Sequence, residues 1–61
     1  MPRYRYYYEY NPEDNCYDIL EEDGGQEHGH YYDLFLFATR TEEDAKDAIK
    51  VLVKLSAKAL K

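Results

Sequence analysis

The chain has 61 residues, a formal net charge of −5, 44% hydrophobic residues and 34% charged residues. This length fits a single small domain covering residues 1–61, and a domain of this size buries only about 60% of the surface of its unfolded chain. The one cysteine, Cys16, excludes a disulfide within the chain and is typical of a reducing compartment. The sequence has neither an apolar signal region nor a run of about 18 apolar residues, so we expect a cytoplasmic protein that does not cross a membrane.

Residues 3–10, with the sequence RYRYYYEY, are predicted to form the first strand. Side chains alternate along a strand, so this segment has two different faces. One face carries Tyr4, Tyr6, Tyr8 and Tyr10, and the other carries Arg3, Arg5, Tyr7 and Glu9. Tyrosine combines a large apolar ring with a polar hydroxyl, which suits a half-buried layer beneath a helix. We therefore expect the all-tyrosine face to be covered and the Arg/Tyr/Glu face to be free.

Two turn signals separate the next strands. Residues 11–15 (NPEDN) and 23–25 (DGG) are rich in residues that favour tight turns and positive φ. Between them, residues 16–22 (CYDILEE) alternate like a short strand, and residues 30–39 (HYYDLFLFAT) have the aromatic content of a third strand. Short connections of this kind favour antiparallel hairpins.

The third predicted strand is apolar on both faces. Strict alternation places Leu34, Leu36 and Ala38 on one face and Tyr31, Phe35 and Phe37 on the other. One helix covers only one face of a sheet, so part of this apolar surface is left over. Surplus apolar surface in a small domain often marks an interface, and a symmetric homodimer is our first hypothesis. In the alternative, a twisted sheet curls around the helix and hides both faces.

The sequence period changes at residue 41. Thr41 suits the N-cap of a helix, with Asp44 three residues later in a variant of the capping box, and neither Gly nor Pro follows. At about 100° per residue, the apolar face comprises Ala45, Ala48, Ile49, Leu52, Val53, Leu55, Ala59 and Leu60, broadened by Val51, and the other face comprises Lys46, Lys50, Lys54, Lys58 and Lys61. We predict a helix of about five turns. The fold class is therefore α+β: a three-stranded antiparallel sheet (β-β-β-α) with one long C-terminal amphipathic helix packed on one face.

The charge is strongly divided along the chain. Residues 6–44 contain twelve carboxylates and one base, Arg40, whereas five lysines and only one carboxylate, Asp47, follow. Such a division can steer oriented association. We therefore expect a non-enzymatic protein-binding domain, a homodimer that blocks its partner as the small acidic inhibitors and antitoxins of phages and mobile elements do. The residues expected to contact the partner protein are Glu21, Glu22, Asp23, Phe35 and Phe37.

A single-stranded nucleic-acid-binding domain is the alternative hypothesis. Such proteins stack bases on aromatic rings and neutralise phosphates with neighbouring basic residues. The residues that would take part are Arg3, Arg5, Tyr7, Lys46, Lys50 and Lys54. The acidic middle of the chain repels phosphate and counts against this hypothesis. A structural domain without a separable activity is the third hypothesis.

The sequence gives little support to catalysis or metal binding. His28 and His30 are two residues apart, but a zinc site needs three or four converging ligands. No phosphate-binding glycine loop is present, and nothing near Cys16 in the sequence marks an activated thiol. We therefore expect no enzymatic activity, no cofactor and no metal.

Two families share the predicted order of elements with this chain. Residues 41–60 (TEEDAKDAIKVLVKLSAKAL) look like the closing helix of double-stranded RNA-binding domains, which also follows three strands. Glu42 and Glu43 replace the lysine pair that this family has at the helix start, so the resemblance argues against RNA binding by that mode. The tyrosine-rich first strand and the motif TEEDA are also similar to HicB-type antitoxins. Each likeness covers roughly half of the chain, and we assign the chain to no family.

Overall fold

The computed structural model describes residues 5–59, with side chains for residues 5–57. Its elements in chain order are β1 (Tyr6–Asn11), β2 (Cys16–Glu27), β3 (His30–Thr39) and α1 (Glu42–Ala59). β2 lies in the middle of an antiparallel sheet, with β1 and β3 at its edges. The predicted α+β fold with β-β-β-α order is confirmed. Within residues 5–59, no helix has the length and apolar character that a membrane crossing needs.

The first hairpin turns where the sequence predicts it. Asn11 ends β1, and its side-chain Oδ1 accepts hydrogen bonds from the backbone N–H groups of Glu13 (3.0 Å) and Asp14 (3.4 Å). Asn15 completes the turn in the left-handed region with a φ of 52°, which asparagine tolerates better than most residues. This turn fixes the register between β1 and β2.

The prediction that the chain turns at residues 23–25 is wrong. β2 continues through this segment to Glu27. The chain reverses instead at His28 and Gly29, which have φ values of 52° and 81°. Two residues with positive φ between paired strands are typical of a type I′ hairpin turn, whose twist matches that of the strands.

The DGG segment forms a bulge within β2. Glu21 pairs with Leu34 and Gly25 pairs with Tyr32, so three residues of β2 lie opposite Asp33 alone. Gly25 allows the Tyr32 ring to lie close to the backbone of β2, since a Cβ at this position would lie 2.2 Å from the ring. The residue types that favour a turn also suit a bulge, and pairing with β3 decides between the two.

A second irregularity separates Phe35 from Phe37. Ile19 pairs with Phe37, while the next residue of β2, Leu20, pairs with Phe35, so Leu36 is an extra residue in β3. Cross-strand partners point to the same face of a sheet, and adjacent residues of β2 point to opposite faces. Phe35 and Phe37 therefore lie on opposite faces, and the prediction that they share one face is wrong.

Helix α1 begins at the predicted capping residue. The backbone N–H of Asp44 donates a hydrogen bond of 3.1 Å to Oγ1 of Thr41, and the N–H of Ala45 donates to the Thr41 carbonyl at the same distance. Three acidic residues occupy the first turn, where the helix dipole favours negative charge. The helix is 18 residues long, which confirms the predicted five turns.

The core is a thin layer between α1 and one face of the sheet. Ile19 and Ala45 have no exposed surface. The α1 side chains that are buried or half-buried are those of Ala45, Ala48, Ile49, Leu52 and Ser56. Val53 and Leu55, which belong to the predicted apolar face, are 42% and 58% exposed, so the sheet covers only part of that face.

The predicted tyrosine row is covered in its middle. Tyr6 and Tyr8 are half-buried beneath α1 and form hydrogen bonds with it: the Tyr6 hydroxyl lies 2.9 Å from Oγ of Ser56, and the Tyr8 hydroxyl donates to Glu42 at 2.8 Å. Tyr10 is 49% exposed and packs its ring against another tyrosine, so the prediction fails at this end of the row. The residues of the predicted elements that lie outside the described chain are Arg3, Tyr4, Leu60 and Lys61, together with the side chains of Lys58 and Ala59.

Candidate protein-docking surface

The sheet face opposite α1 carries an apolar row that crosses all three strands. Tyr7 pairs with Leu20, and Leu20 pairs with Phe35, so these three side chains lie side by side on one face. Tyr6 and Tyr8, the neighbours of Tyr7 in β1, point to the helix, which places the row on the other side of the sheet. We call these three residues the apolar row, and the side of the sheet that bears them the open face.

Neither phenylalanine of β3 is buried. Phe35 is 54% exposed on the open face, and Phe37 is 40% exposed on the helix side. A sheet that curled fully around α1 would hide both rings, so that alternative is wrong for the single chain. Because Tyr7 and Leu20 are half-buried by their neighbours, Phe35 is the most accessible member of the apolar row.

Carboxylates border the apolar row on both sides. Glu9 pairs with Asp18 on the open face, although like charges directly opposite each other destabilise a sheet. On the other side of the row lie Glu22 and Asp33. With Arg5 as the one base in this group, the five residues carry a formal charge of −3. Negative charge therefore borders the apolar row on both sides, and one border holds a like-charge pair.

Arg5 is already paired with a carboxylate. Its guanidinium forms an ion pair with Glu22, and the Glu22 backbone N–H donates a hydrogen bond of 2.7 Å to the Arg5 carbonyl. This hydrogen bond extends the β1–β2 pairing by one position, which places both side chains beside Tyr7 on the open face. The ion pair is largely solvated, with exposed side-chain fractions of 47% and 39%, so it contributes little to stability. Its consequence is that Arg5 does not offer a free positive charge.

Tyr7 is oriented by Asp33. The Tyr7 hydroxyl donates a hydrogen bond of 2.5 Å to Oδ2 of Asp33, and Oδ1 of Asp33 accepts a hydrogen bond of 3.1 Å from the backbone N–H of Asp23. The hydrogen bond to Asp33 raises the pKa of Tyr7 to about 12 and lowers the pKa of Asp33. The phenol is therefore neutral and the carboxylate ionised at neutral pH. Because Asp23 belongs to the β2 bulge, the bulge organises this acidic side of the open face.

The five residues predicted to bind a protein partner are divided between surfaces. Glu22 and Phe35 lie on the open face. Glu21 and Phe37 pair with residues that face the helix, so they lie on the other side of the sheet. Asp23 lies in the bulge, where its backbone N–H donates a hydrogen bond to the Asp33 carboxylate of the open face. The structure therefore brings together only part of the predicted set.

The residues of the nucleic-acid alternative are divided as well. Tyr7 and Arg5 lie on the open face, and Arg3 is outside residues 5–59. The lysines of this hypothesis, Lys46, Lys50 and Lys54, are exposed on α1, which packs on the opposite side of the sheet. Among the described residues, no surface combines the Tyr7 ring with these lysines, and Arg5 is paired with Glu22. This arrangement weakens the nucleic-acid alternative.

Four residues of the open face are not among the predicted site residues: Leu20, Glu9, Asp18 and Asp33. Leu20 could be found in the sequence, because a hairpin closed by the pair Asn11–Cys16 also sets Tyr7 opposite Leu20. Asp33 has no such signal, since its position depends on the bulge in the neighbouring strand.

The residues that could support metal binding or thiol chemistry are dispersed. His28 and His30 are exposed at the second hairpin, and among the residues searched no three His, Cys, Asp or Glu side chains are grouped to hold a metal ion. Burial, together with a hydrogen bond to Asp18, raises the pKa of the Cys16 thiol. A raised pKa reduces the fraction of reactive thiolate.

No protein-family model matches this chain, and no curated protein or solved structure matches it either. A small α+β fold does not by itself specify a function, because functions depend on sites rather than on folds. The functional inference therefore rests on the open face.

Proposed function

We propose that this chain is a non-enzymatic protein-binding domain that docks its partner on the open face. The partner surface has an apolar centre, which covers Tyr7, Leu20 and Phe35, and basic side chains, which meet the surrounding carboxylates. This is the protein-binding function expected from the sequence, with the docking site assigned to one side of the sheet. Such a domain inhibits its partner when the basic surface that it covers is the one the partner needs for its own activity.

The uncovered apolar row is the observation that carries this proposal. A sheet with one solvated side normally has polar residues there, whereas this sheet presents an aromatic–aliphatic–aromatic row across its full width. Burial of exposed apolar surface is favourable, and Phe35 leaves more than half of its surface available for it. Aromatic side chains at the centre of an interface commonly dominate the binding energy.

The carboxylates determine the charge of the partner. Asp33 stays ionised because Tyr7 donates a hydrogen bond to it, and Arg5 is neutralised by its ion pair. Lysine or arginine side chains of a partner would relieve the repulsion between Glu9 and Asp18. Complementary charge of this kind accelerates association and excludes partners of the wrong sign.

Fluorescence anisotropy with two labelled synthetic helical peptides tests the proposal. One peptide has leucines on one face and lysines on the other, and the matched peptide has glutamates in place of the lysines. We expect the full chain to bind the lysine peptide, with an affinity that falls as salt rises, and not the glutamate peptide. Phe35→Ser should weaken binding by about tenfold or more, because aromatic anchors of interfaces contribute well over 1 kcal/mol.

Leu55→Ser is the matched control variant. Leu55 is 58% exposed, as Phe35 is 54% exposed, but it lies on α1 rather than on the open face. At a protein concentration at which both proteins are monomeric, the control should leave the affinity for the lysine peptide unchanged. Equal binding of the two peptides, or unchanged affinity in a folded Phe35→Ser variant, would contradict the proposal.

A further inference from the structure

The outer surface of α1 has the chemistry that the open face requires of a partner. Its exposed lysines are Lys46, Lys50 and Lys54, and exposed apolar side chains flank them, Val53 on one side and Val51 and Leu55 on the other. Four of these residues, Lys50, Val51, Val53 and Lys54, line one shallow concavity. Beyond the first turn of the helix, Asp47 is the one carboxylate that offsets the lysines. The outer surface of α1 is therefore apolar and basic, and the open face is apolar and acidic.

The charges on the two surfaces have similar spacing. Lys46 and Lys54 are eight residues apart on α1, which at 1.5 Å per residue is about 12 Å. Asp18 and Glu22 border the apolar row from opposite sides and are four residues apart on β2, which at about 3.3 Å per residue is about 13 Å. A helix that lies along the strands can therefore place Lys46 and Lys54 near the two acidic borders, while the methylene stem of Lys50, which lies between them on the same side of α1, covers the apolar row.

Charge opposes the pairing of like surfaces. Two open faces would bring two groups of carboxylates together, and two α1 outer surfaces would bring lysines together. Like charges facing each other across an interface are strongly unfavourable. The two complementary surfaces lie on opposite sides of a molecule whose thinnest dimension is 13 Å, so a contact between them does not close into a two-fold dimer.

We propose that a second copy of this chain binds to the open face through the outer surface of its α1, so that copies stack head to tail. This inference rests on the proposed function, because the same open face does the docking, and it names the second copy as one partner. It replaces the symmetric homodimer expected from the sequence with a heterologous contact. In the stack, the sheet is covered by a helix on each side, which accounts for a third strand that is apolar on both faces.

The proposed contact is small. The open face spans three strands that lie about 4.8 Å apart, over a length of about 13 Å. This footprint is well below the roughly 800 Å² per partner of a stable interface. We therefore expect association to be reversible, to increase with protein concentration and to weaken as salt rises.

Two charge-swapped variants of the full chain, studied by sedimentation velocity at low salt, test the stacking. The sheet variant carries Glu9→Lys and Asp18→Lys, which keep a like-charge pair within the sheet, and the helix variant carries Lys50→Glu and Lys54→Glu. The mass of the wild type should rise with concentration beyond that of a dimer. Each variant alone should associate at least about tenfold more weakly. An equimolar mixture should associate again, because the unchanged helix of the sheet variant can meet the unchanged open face of the helix variant, and the swapped charges are complementary to each other.

Several results would overturn the stacking. They are a wild type that stays monomeric at all concentrations, a wild-type mass that stops at a dimer, and variants that associate as the wild type does. Thermal melts by circular dichroism verify that both variants fold. If the lysines of the sheet variant prevent folding, a variant with Glu9→Gln and Asp18→Asn replaces it. This neutral variant should also associate more weakly than the wild type. If the wild type stays monomeric but binds the lysine peptide, the proposed function stands and the stacking alone fails. If it does neither, both fail.

Discussion

The substitution Ile19→Ala tests how α1 packs on the sheet. Ile19 is the one large side chain without exposed surface in the described chain, and its cross-strand partners are Tyr8 and Phe37. The substitution removes three carbon atoms from the layer between the sheet and α1. Truncating a buried isoleucine to alanine costs about 2–5 kcal/mol, and the cost is lower where neighbours can relax into the space. Because this core is thin and its neighbours are partly exposed, we expect a loss of about 3 kcal/mol.

This loss is large relative to the total stability of the domain. A chain of 61 residues, at about 0.05–0.15 kcal/mol per residue, has a free energy of unfolding of about 3–9 kcal/mol. Ile19→Ala should therefore remove at least about a third of the stability, and at the lower end of this range about half of the variant molecules are unfolded at room temperature.

Urea denaturation followed by far-ultraviolet circular dichroism measures the change, with two comparison variants. Ile19→Val should lose about 1 kcal/mol, because one carbon is removed from the same site. Leu55→Ala should stay within about 0.5 kcal/mol of the wild type, since this side chain is 58% exposed. The packing of α1 against Ile19 would be refuted if Ile19→Ala lost less than about 1 kcal/mol, or if Leu55→Ala lost more than about 0.5 kcal/mol. It would also remove the basis for the assignment of the open face.

Three further predictions concern the cap, the open face and the second hairpin. Thr41→Ala should lower the free energy of unfolding by about 1 kcal/mol and Thr41→Ser should restore most of it, whereas equal stability of all three proteins in urea would contradict the cap. In an NMR pH titration, the Tyr7 phenol should ionise near pH 12, and Asp33→Asn should lower the pKa of this phenol towards 10. Because folding raises this pKa, the hydrogen bond contributes fully to the free energy of unfolding below pH 10, and this contribution is lost as the pH rises through about 12. A Tyr7 pKa near 10 in the wild type would show that the hydrogen bond is absent. Gly29→Ala should cost about 1 kcal/mol in the same urea assay because its φ is 81°, and an unchanged midpoint would refute the positive φ.

Local signals in the sequence were sufficient for the helix and the first hairpin. The cap at Thr41, the acidic first turn and the absence of Gly and Pro determine where α1 begins and how far it extends. In the first hairpin, the Asn11 side chain accepts hydrogen bonds from the next residues of the turn, so the turn depends on contacts within a few residues. Such short-range interactions can be read from a sequence without knowledge of the rest of the fold.

The second hairpin and β3 depend on contacts that the sequence does not mark. The DGG segment suits a turn as well as a bulge, and what decides is the packing of the Tyr32 ring over Gly25 across the strands. The extra residue at Leu36 also has no local signature, so strict alternation put Phe35 and Phe37 on one surface when they lie on two. The predicted protein-binding residues differ from the apolar row for the same reason. The register between strands determines which side chains form the row, and residues adjacent in the sequence do not show this register.

The sequence of α1 does not show which part of its apolar face the sheet covers. The helical period groups Val53 and Leu55 with the buried stripe, yet the sheet covers only a narrower arc of the helix. The width of the covered arc depends on the width and twist of the sheet, and the sequence of α1 contains neither.

The central claim is that a basic, apolar partner docks on the open face. The most direct measurement is an amide-resolved NMR titration of the full chain with the lysine peptide, at a protein concentration at which the chain is monomeric. We expect shift changes that cluster at Tyr7, Leu20 and Phe35 and at their neighbours in the three strands, while the amides of residues 50–55 in α1 remain unchanged. Shift changes that cluster on α1, or that spread evenly over both sides of the sheet, would contradict the claim.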